Sequence, residues 1–170
     1  MTTDLPPTSH TEVLTRAWQV LTSAPEWIDT IPAHELGQLL TLIDGIGAAA
    51  AAATVAVTAS ALAQGQPAQA GQRTREWVRQ HAPSLRQGGL GPVVALADEL
   101  ARQRVGLSTR VEPSPNTPTG QVWAHISSGR VLPCLGVGVL HEIGQLLPRL
   151  VPEAVPTVTE ALIDLSLIHI

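Results

Sequence analysis

Residues 36–63 are LGQLLTLIDGIGAAAAAATVAVTASALA, the longest uninterrupted helical pattern in the chain. Alanine, the best helix former, fills the middle of this stretch. Its first half carries apolar residues at the spacing of one helix face, which are Leu36, Leu39, Leu40, Ile43 and Ile46. The stretch therefore predicts one long Ala-rich helix, in which Gly45 and Gly47 mark a bend or a close helix contact.

The same stretch has to be weighed as a membrane span, because no residue between Asp44 and Arg73 carries a charge. An uncharged helix of this length can cross a bilayer. However, alanine contributes far less to insertion than leucine or isoleucine, and the Thr, Ser and Gly residues oppose it. We therefore expect a small-residue helix packed inside a helical domain, with no membrane partner.

Helical patterns continue on both sides of this stretch. Ser9 and Glu12 have the spacing of a capping box, which predicts a helix start. A short helix is predicted near residues 74–81, and another carries Val93, Leu96, Ala97 and Leu100 on one face. The sequence predicts an all-α fold: a single helical domain of about six helices. Residues 1–30 form an N-terminal helical segment, and residues 31–166 form the domain proper.

Composition excludes several function classes. The chain has 170 residues, and all ten of its basic residues are arginines, so it has no Lys, and it also has no Tyr or Phe. Without lysine there is no P-loop lysine and no Schiff-base lysine. Without Tyr and Phe the usual RNA-stacking rings are missing, and only four Trp remain.

No pattern in the sequence predicts catalysis or metal binding. His-Glu occurs at His34 and His141, but a zinc-protease motif needs a second His four residues later. Those positions are Gln38 and Gln145. We therefore expect no catalytic residue, no metal site, no cofactor and no enzyme activity.

The lone cysteine and the N-terminal residues bear on the compartment. Cys134 excludes an intramolecular disulfide, and its apolar neighbours predict a buried structural thiol. The first thirty residues lack a basic stretch followed by an apolar one, so no secretory signal is predicted and the cytoplasm is expected.

Charge is distributed unevenly along the chain. Residues 71–130 carry eight Arg against four acids, whereas the segments before and after are net acidic. The candidate binding residues lie in this region, and they are Arg73, Arg75, Arg79, Arg102 and Arg104. Arginine suits phosphate because its planar fork binds oxygens in pairs. Three interpretations stay open, namely a solvated helix face, contact with DNA or RNA, and a docking surface for another protein domain.

The residues GQRTREWVR at 71–79 resemble the entry to a large actinobacterial family, the domain of unknown function 222 or 13E12-repeat family. Members of that family show an Ala-rich helix, a Gly-rich connector, a Ser/Thr-x-x-Trp-Leu-Arg helix and an Ala/Arg/Leu helix. Here residues 36–63, 74–79 and 92–104 resemble the three helices in that order. The region from Trp123 to Val131 resembles the turn that follows them in the family. The resemblance covers roughly residues 33–166.

In proteins of this family, the domain usually lies N-terminal to an HNH endonuclease domain. The resemblance therefore implies a non-catalytic helical accessory domain that positions DNA through the 71–110 Arg region or docks the nuclease half. HNH residues are absent here, since the one histidine after Leu150 is His169. The glycines near Gly88 and the loop from Val105 to Gly120 depart from the family pattern. The alternative is a helix-pairing interaction module that forms a homo-oligomer or binds a partner without nucleic acid.

The last residues carry a further expectation. The segment SLIHI at 166–170 resembles the translation of a sequencing adaptor. We therefore expect residues 167–170 to be an artefactual tail and the native chain to differ after Leu165.

Overall fold

A computed structural model describes residues 9–103 and 113–168 of the chain. Over these two ranges there are nine α-helices and no strand, so the all-α prediction is confirmed. They are α1 (His10–Thr22), α2 (Ala24–Trp27), α3 (Leu36–Ala63), α4 (Gln66–Gln69), α5 (Thr74–His81), α6 (Leu90–Arg102), α7 (Pro118–Ser127), α8 (Pro133–Leu146) and α9 (Val155–Ile168).

The count exceeds the predicted six because single-turn helices form between the longer ones. The single-turn helices α2 and α4 each begin beside a proline, Pro25 and Pro67. Proline is favoured in a first helical turn because its missing N–H would have no partner there. Pro25 and Pro67 therefore each follow the end of one helix and lie in the first turn of the next.

The chain divides into two compact units, Met1–Ile43 and Asp44–Ile170. In the first unit the predicted capping box of α1 is present. The Glu12 backbone N–H donates to Ser9 Oγ at 3.2 Å, and the Ser9 N–H donates to the Glu12 carboxylate at 3.0 Å. No residue between 9 and 43 is buried. The described part of this unit therefore has no apolar core of its own.

The second unit contains the hydrophobic core. Val93, Leu96, Ala97 and Leu100 of α6 are buried, which confirms their predicted face. Further buried members come from α3, α5, α7, α8 and α9, and they include Val55, Ala59, Val78, Val122, Ile126, Val139 and Ile163.

Glycine allows a close approach of α7 and α8 within this core. A Cβ at Gly136 would lie 2.6 Å from Ile126 Cδ1 and 2.9 Å from Val122 Cγ1. Real Cβ atoms do not come so close, so this crossing requires glycine on α8. The preceding turn uses Gly129 at φ 77°, a left-handed conformation that glycine adopts readily just after a helix C-terminus.

The long Ala-rich helix is present as predicted, but its burial differs from the expectation. α3 is unbroken from Leu36 to Ala63, and its buried residues begin at Ala52. The expectation that it packs inside the domain is therefore wrong for its first half. The spacing of the buried positions shows that one side of the last three turns of α3 packs against the core. By length and composition α3 is also apolar enough to cross a membrane, a criterion that core helices of soluble proteins pass too.

The predicted burial of Cys134 is wrong. The thiol is exposed in the first turn of α8. The inward positions of that helix are Pro133, Gly136 and Val139, and position 134 falls on the other side of the helical wheel.

Candidate functional site

Helix α5 presents three of the five candidate arginines to solvent. Arg73, Arg75 and Arg79 are exposed, while Val78 of the same helix is buried in the core. Arg75 and Arg79 are one turn apart and share a face, and Arg73 is the residue at the helix N-cap. Within the described ranges no carboxylate lies in salt-bridge distance of these three guanidinium groups.

The remaining two candidate arginines are not part of this group. Arg102, at the end of α6, pairs with Glu99 one turn earlier, with Nη2 2.7 Å from Oε2. Its charge is therefore already matched by a carboxylate. Arg104 lies outside the described residues.

The inner edge of α5 carries an aromatic pair. The rings of Trp77 and His81 stack with centroids 4.3 Å apart and an interplanar angle of 29°. His81 Nδ1 lies 2.8 Å from the backbone carbonyl oxygen of Trp77. This pair fixes the indole against the helix and leaves the Arg75 and Arg79 side open.

The two His-Glu sequences are arranged as surface groups. His34 Nε2 lies 3.6 Å from the neighbouring Glu35 carboxylate. His141 Nε2 lies 2.8 Å from the side-chain nitrogen of Gln145, the residue that replaces a second histidine. Among residues 9–103 and 113–168, no group of three His, Cys, Asp or Glu side chains could hold a metal ion.

A polar pair between α7 and α9 was not predicted from the sequence. His125 Nε2 lies 3.0 Å from Glu160 Oε1, and the histidine side chain is 11% exposed. Gln121, one turn before His125, donates to the Pro156 carbonyl at 3.2 Å. His125 and Glu160 are 35 residues apart, so no local pattern could have revealed the pair.

Helix α3 carries an exposed apolar line along its middle. Ile46 and Val57 are 46% and 63% exposed, and Ala50 and Ala53 between them are also exposed. These four residues, called the α3 stripe below, are spaced four, three and four apart, the spacing of one helix face. The apolar spacing at the start of α3 predicts a buried face, and the structure leaves this line exposed.

Helix α1 has a similar character within the first unit. Leu14 and Trp18 are 69% and 65% exposed and lie one turn apart. Val13 and Val20 are also exposed. Most of the large apolar residues of this helix therefore meet water rather than a core.

No protein-family model, no curated protein and no solved structure matches the chain. The resemblance to the 13E12-repeat family therefore remains a prediction drawn from motifs.

Proposed function

We propose that this chain is a non-catalytic helical interaction module that pairs with a second copy of itself through the α3 stripe. The observation that carries the proposal is the exposure of Ile46, Ala50, Ala53 and Val57 along one face of an uncharged helix segment. Removing apolar surface from water stabilises a complex by about 25 cal/mol per Å². A partner helix would bury this face.

The composition of the stripe favours a second copy as the partner. In a twofold dimer the same patch meets itself, so the patch must not carry charges that repel. The stripe satisfies this condition, since the residues from Gly45 to Gln72 carry no charge. The alanines also let two helix backbones approach closely, which gives extensive contact between them.

Ala53→Glu tests the pairing. A buried, unpaired carboxylate is costly, so we expect the variant to be monomeric where the wild type dimerises. Sedimentation velocity over a hundredfold range of concentration measures the change. The matched control is Ala124→Glu, which adds the same charge at an exposed alanine of α7. A wild type that stays monomeric throughout, or equal effects of both variants, would contradict the proposal.

The resemblance to the 13E12-repeat family supports a narrower form of this role. In that form the module is a cytoplasmic accessory domain of an HNH-endonuclease-like protein and leaves catalysis to another domain. We expect the purified chain to leave supercoiled plasmid intact with Mg²⁺, Mn²⁺ or Zn²⁺, as judged on agarose gels. Metal-dependent nicking that co-purifies with the chain through two columns would contradict it.

A second candidate function is nucleic-acid contact through α5. It is favoured by the exposure of Arg73, Arg75 and Arg79, none of which is paired with a carboxylate of the described residues. Three guanidinium groups on one short helix suit the phosphates of a DNA backbone. The net charge of −4 restricts such contact to this local patch.

The salt dependence of DNA binding tests this candidate. Each lost phosphate contact lowers the slope of log K against log[salt] by about one. We expect Arg73→Ala with Arg79→Ala to lower the slope by about two and to weaken binding to unrelated sequences equally. Fluorescence anisotropy with two unrelated duplexes measures it. The control is Arg130→Ala with Arg149→Ala, two exposed arginines outside α5. A salt-independent complex, or equal losses in both double variants, would contradict it.

A further inference from the structure

A cavity of about 560 Å³ lies in the second unit among α6, the start of α7, and α8. This volume is within the range of small-molecule sites. Its walls are mainly apolar and include Leu96, Val137, Leu140, Ile143 and Leu147. Glu99, Arg102, Gln103 and His141 supply polar groups at its edge. None of the interaction surfaces discussed above uses this space.

The charged groups at the edge neutralise each other. Arg102 Nη2 lies 2.7 Å from Glu99 Oε2, and the other carboxylate oxygen of Glu99 accepts from Gln103 Nε2 at 2.7 Å. Gln103 Nε2 also donates to Thr119 Oγ1 at 2.9 Å. Arg102 and Glu99 therefore each meet an opposite charge within the edge itself.

The other groups that could attract an anion are also occupied. The N-terminus of α7 is capped by its own Thr117, whose Oγ1 accepts from the Gly120 N–H at 3.1 Å. His141 Nε2 lies 2.8 Å from the Gln145 amide nitrogen. This contact already engages that ring nitrogen.

We infer that this cavity is a binding site for a neutral, mainly apolar small molecule. The apolar walls supply the affinity, and the internally paired edge supplies selectivity against charged ligands. A charged ligand would lose hydration against the apolar walls and find no unpaired opposite charge at the edge to compensate. The inference is independent of the α3 stripe.

Two naphthalene dyes that differ mainly in charge test the inference. N-phenyl-1-naphthylamine is neutral, and 8-anilinonaphthalene-1-sulfonate has a related ring system with a sulfonate. We expect saturable fluorescence enhancement with the neutral dye and at least tenfold weaker binding of the anionic dye. Equal or tighter binding of the anionic dye, or no saturable binding of the neutral one, would overturn the inference.

A pair of glycines on α8 locates the bound dye. Gly144 lines the cavity and Gly138 does not, and at both positions a Cβ would meet no atom within 4 Å. We expect Gly144→Leu to lower the affinity for the neutral dye at least tenfold, and Gly138→Leu to leave that affinity unchanged. Ala95→Leu fills the cavity from the α6 wall and replaces Gly144→Leu should that variant not fold. Unchanged affinity in both filled variants would place the dye on another apolar surface and overturn the inference.

Discussion

Gly136 and Gly138 lie half a turn apart on α8 and differ in what surrounds them. A methyl group at position 136 would collide with Ile126 and Val122, whereas one at position 138 would enter open space. Alanine in a helix interior is favoured over glycine by roughly 0.5–1 kcal/mol. Placing alanine at each position therefore separates the backbone preference for alanine in a helix from the cost of a packing collision.

We expect Gly136→Ala to lower the free energy of unfolding by about 1–3 kcal/mol, the usual cost of overpacking a core. We expect Gly138→Ala to raise it by up to about 1 kcal/mol. Urea unfolding followed by circular dichroism measures both. Equal effects of the two variants would show that α7 and α8 are not in close contact at Gly136.

The His125–Glu160 pair gives a second prediction at this scale. Glu160→Ala removes the partner of Nε2 and leaves the ring buried, and Nδ1 has no partner among the described residues either. An unsatisfied buried polar group costs about 1–3 kcal/mol. We expect a loss of stability of that order at neutral pH in urea unfolding. Glu142→Ala, which removes an exposed carboxylate of α8, is the control and should change little.

Sequence patterns predicted the structural features that depend on residues close together along the chain. The Ser9 capping box and the buried face of α6 follow from local spacing and backbone preference. The exposure of Cys134 and the His125–Glu160 pair depend on which helices meet, and no local pattern encodes that. The three α5 arginines are exposed as a group, but the charge of Arg102 is matched by Glu99.

At the scale of the element, α1 shows how a helix forms without a core to hold it. None of its residues is buried, and its ordered start depends on the reciprocal bonds of Ser9 and Glu12. Local capping therefore supplies a larger share of the stability of α1 than it does in a buried helix such as α6.

Ser9→Ala tests the contribution of the cap. Loss of an N-cap side chain costs about 1 kcal/mol. We expect faster amide exchange throughout α1, with no change in the exchange of α6 amides. Hydrogen exchange followed by mass spectrometry measures it. The conservative control is Ser9→Asp, which keeps a capping oxygen. Unchanged exchange in Ser9→Ala would mean that contacts other than the cap hold α1.

At the scale of the whole molecule, buried residues are concentrated in one unit. The described residues of Met1–Ile43 include no buried side chain, whereas Asp44–Ile170 contains the hydrophobic core. Regions with few buried apolar contacts open at low free energy. The two units should therefore differ in local stability.

We expect amides of residues 10–43 to exchange much faster than those of α6 and α8 at micromolar concentration. Association through the α3 stripe should slow exchange around Ile46–Val57 as concentration rises and leave the α6 amides unchanged. The same exchange experiment at two concentrations measures this. Uniform protection across both units would contradict the uneven distribution of buried residues.

The exposed thiol of Cys134 has one more consequence. Because it is the single cysteine and lies in the first turn of α8, a nitroxide label would attach at one known place on each chain. A twofold dimer would then give one inter-label distance in a dipolar spectroscopy experiment, whereas an open chain of subunits would give several. The native sequence thus allows the symmetry of the assembly to be measured without engineering a new residue.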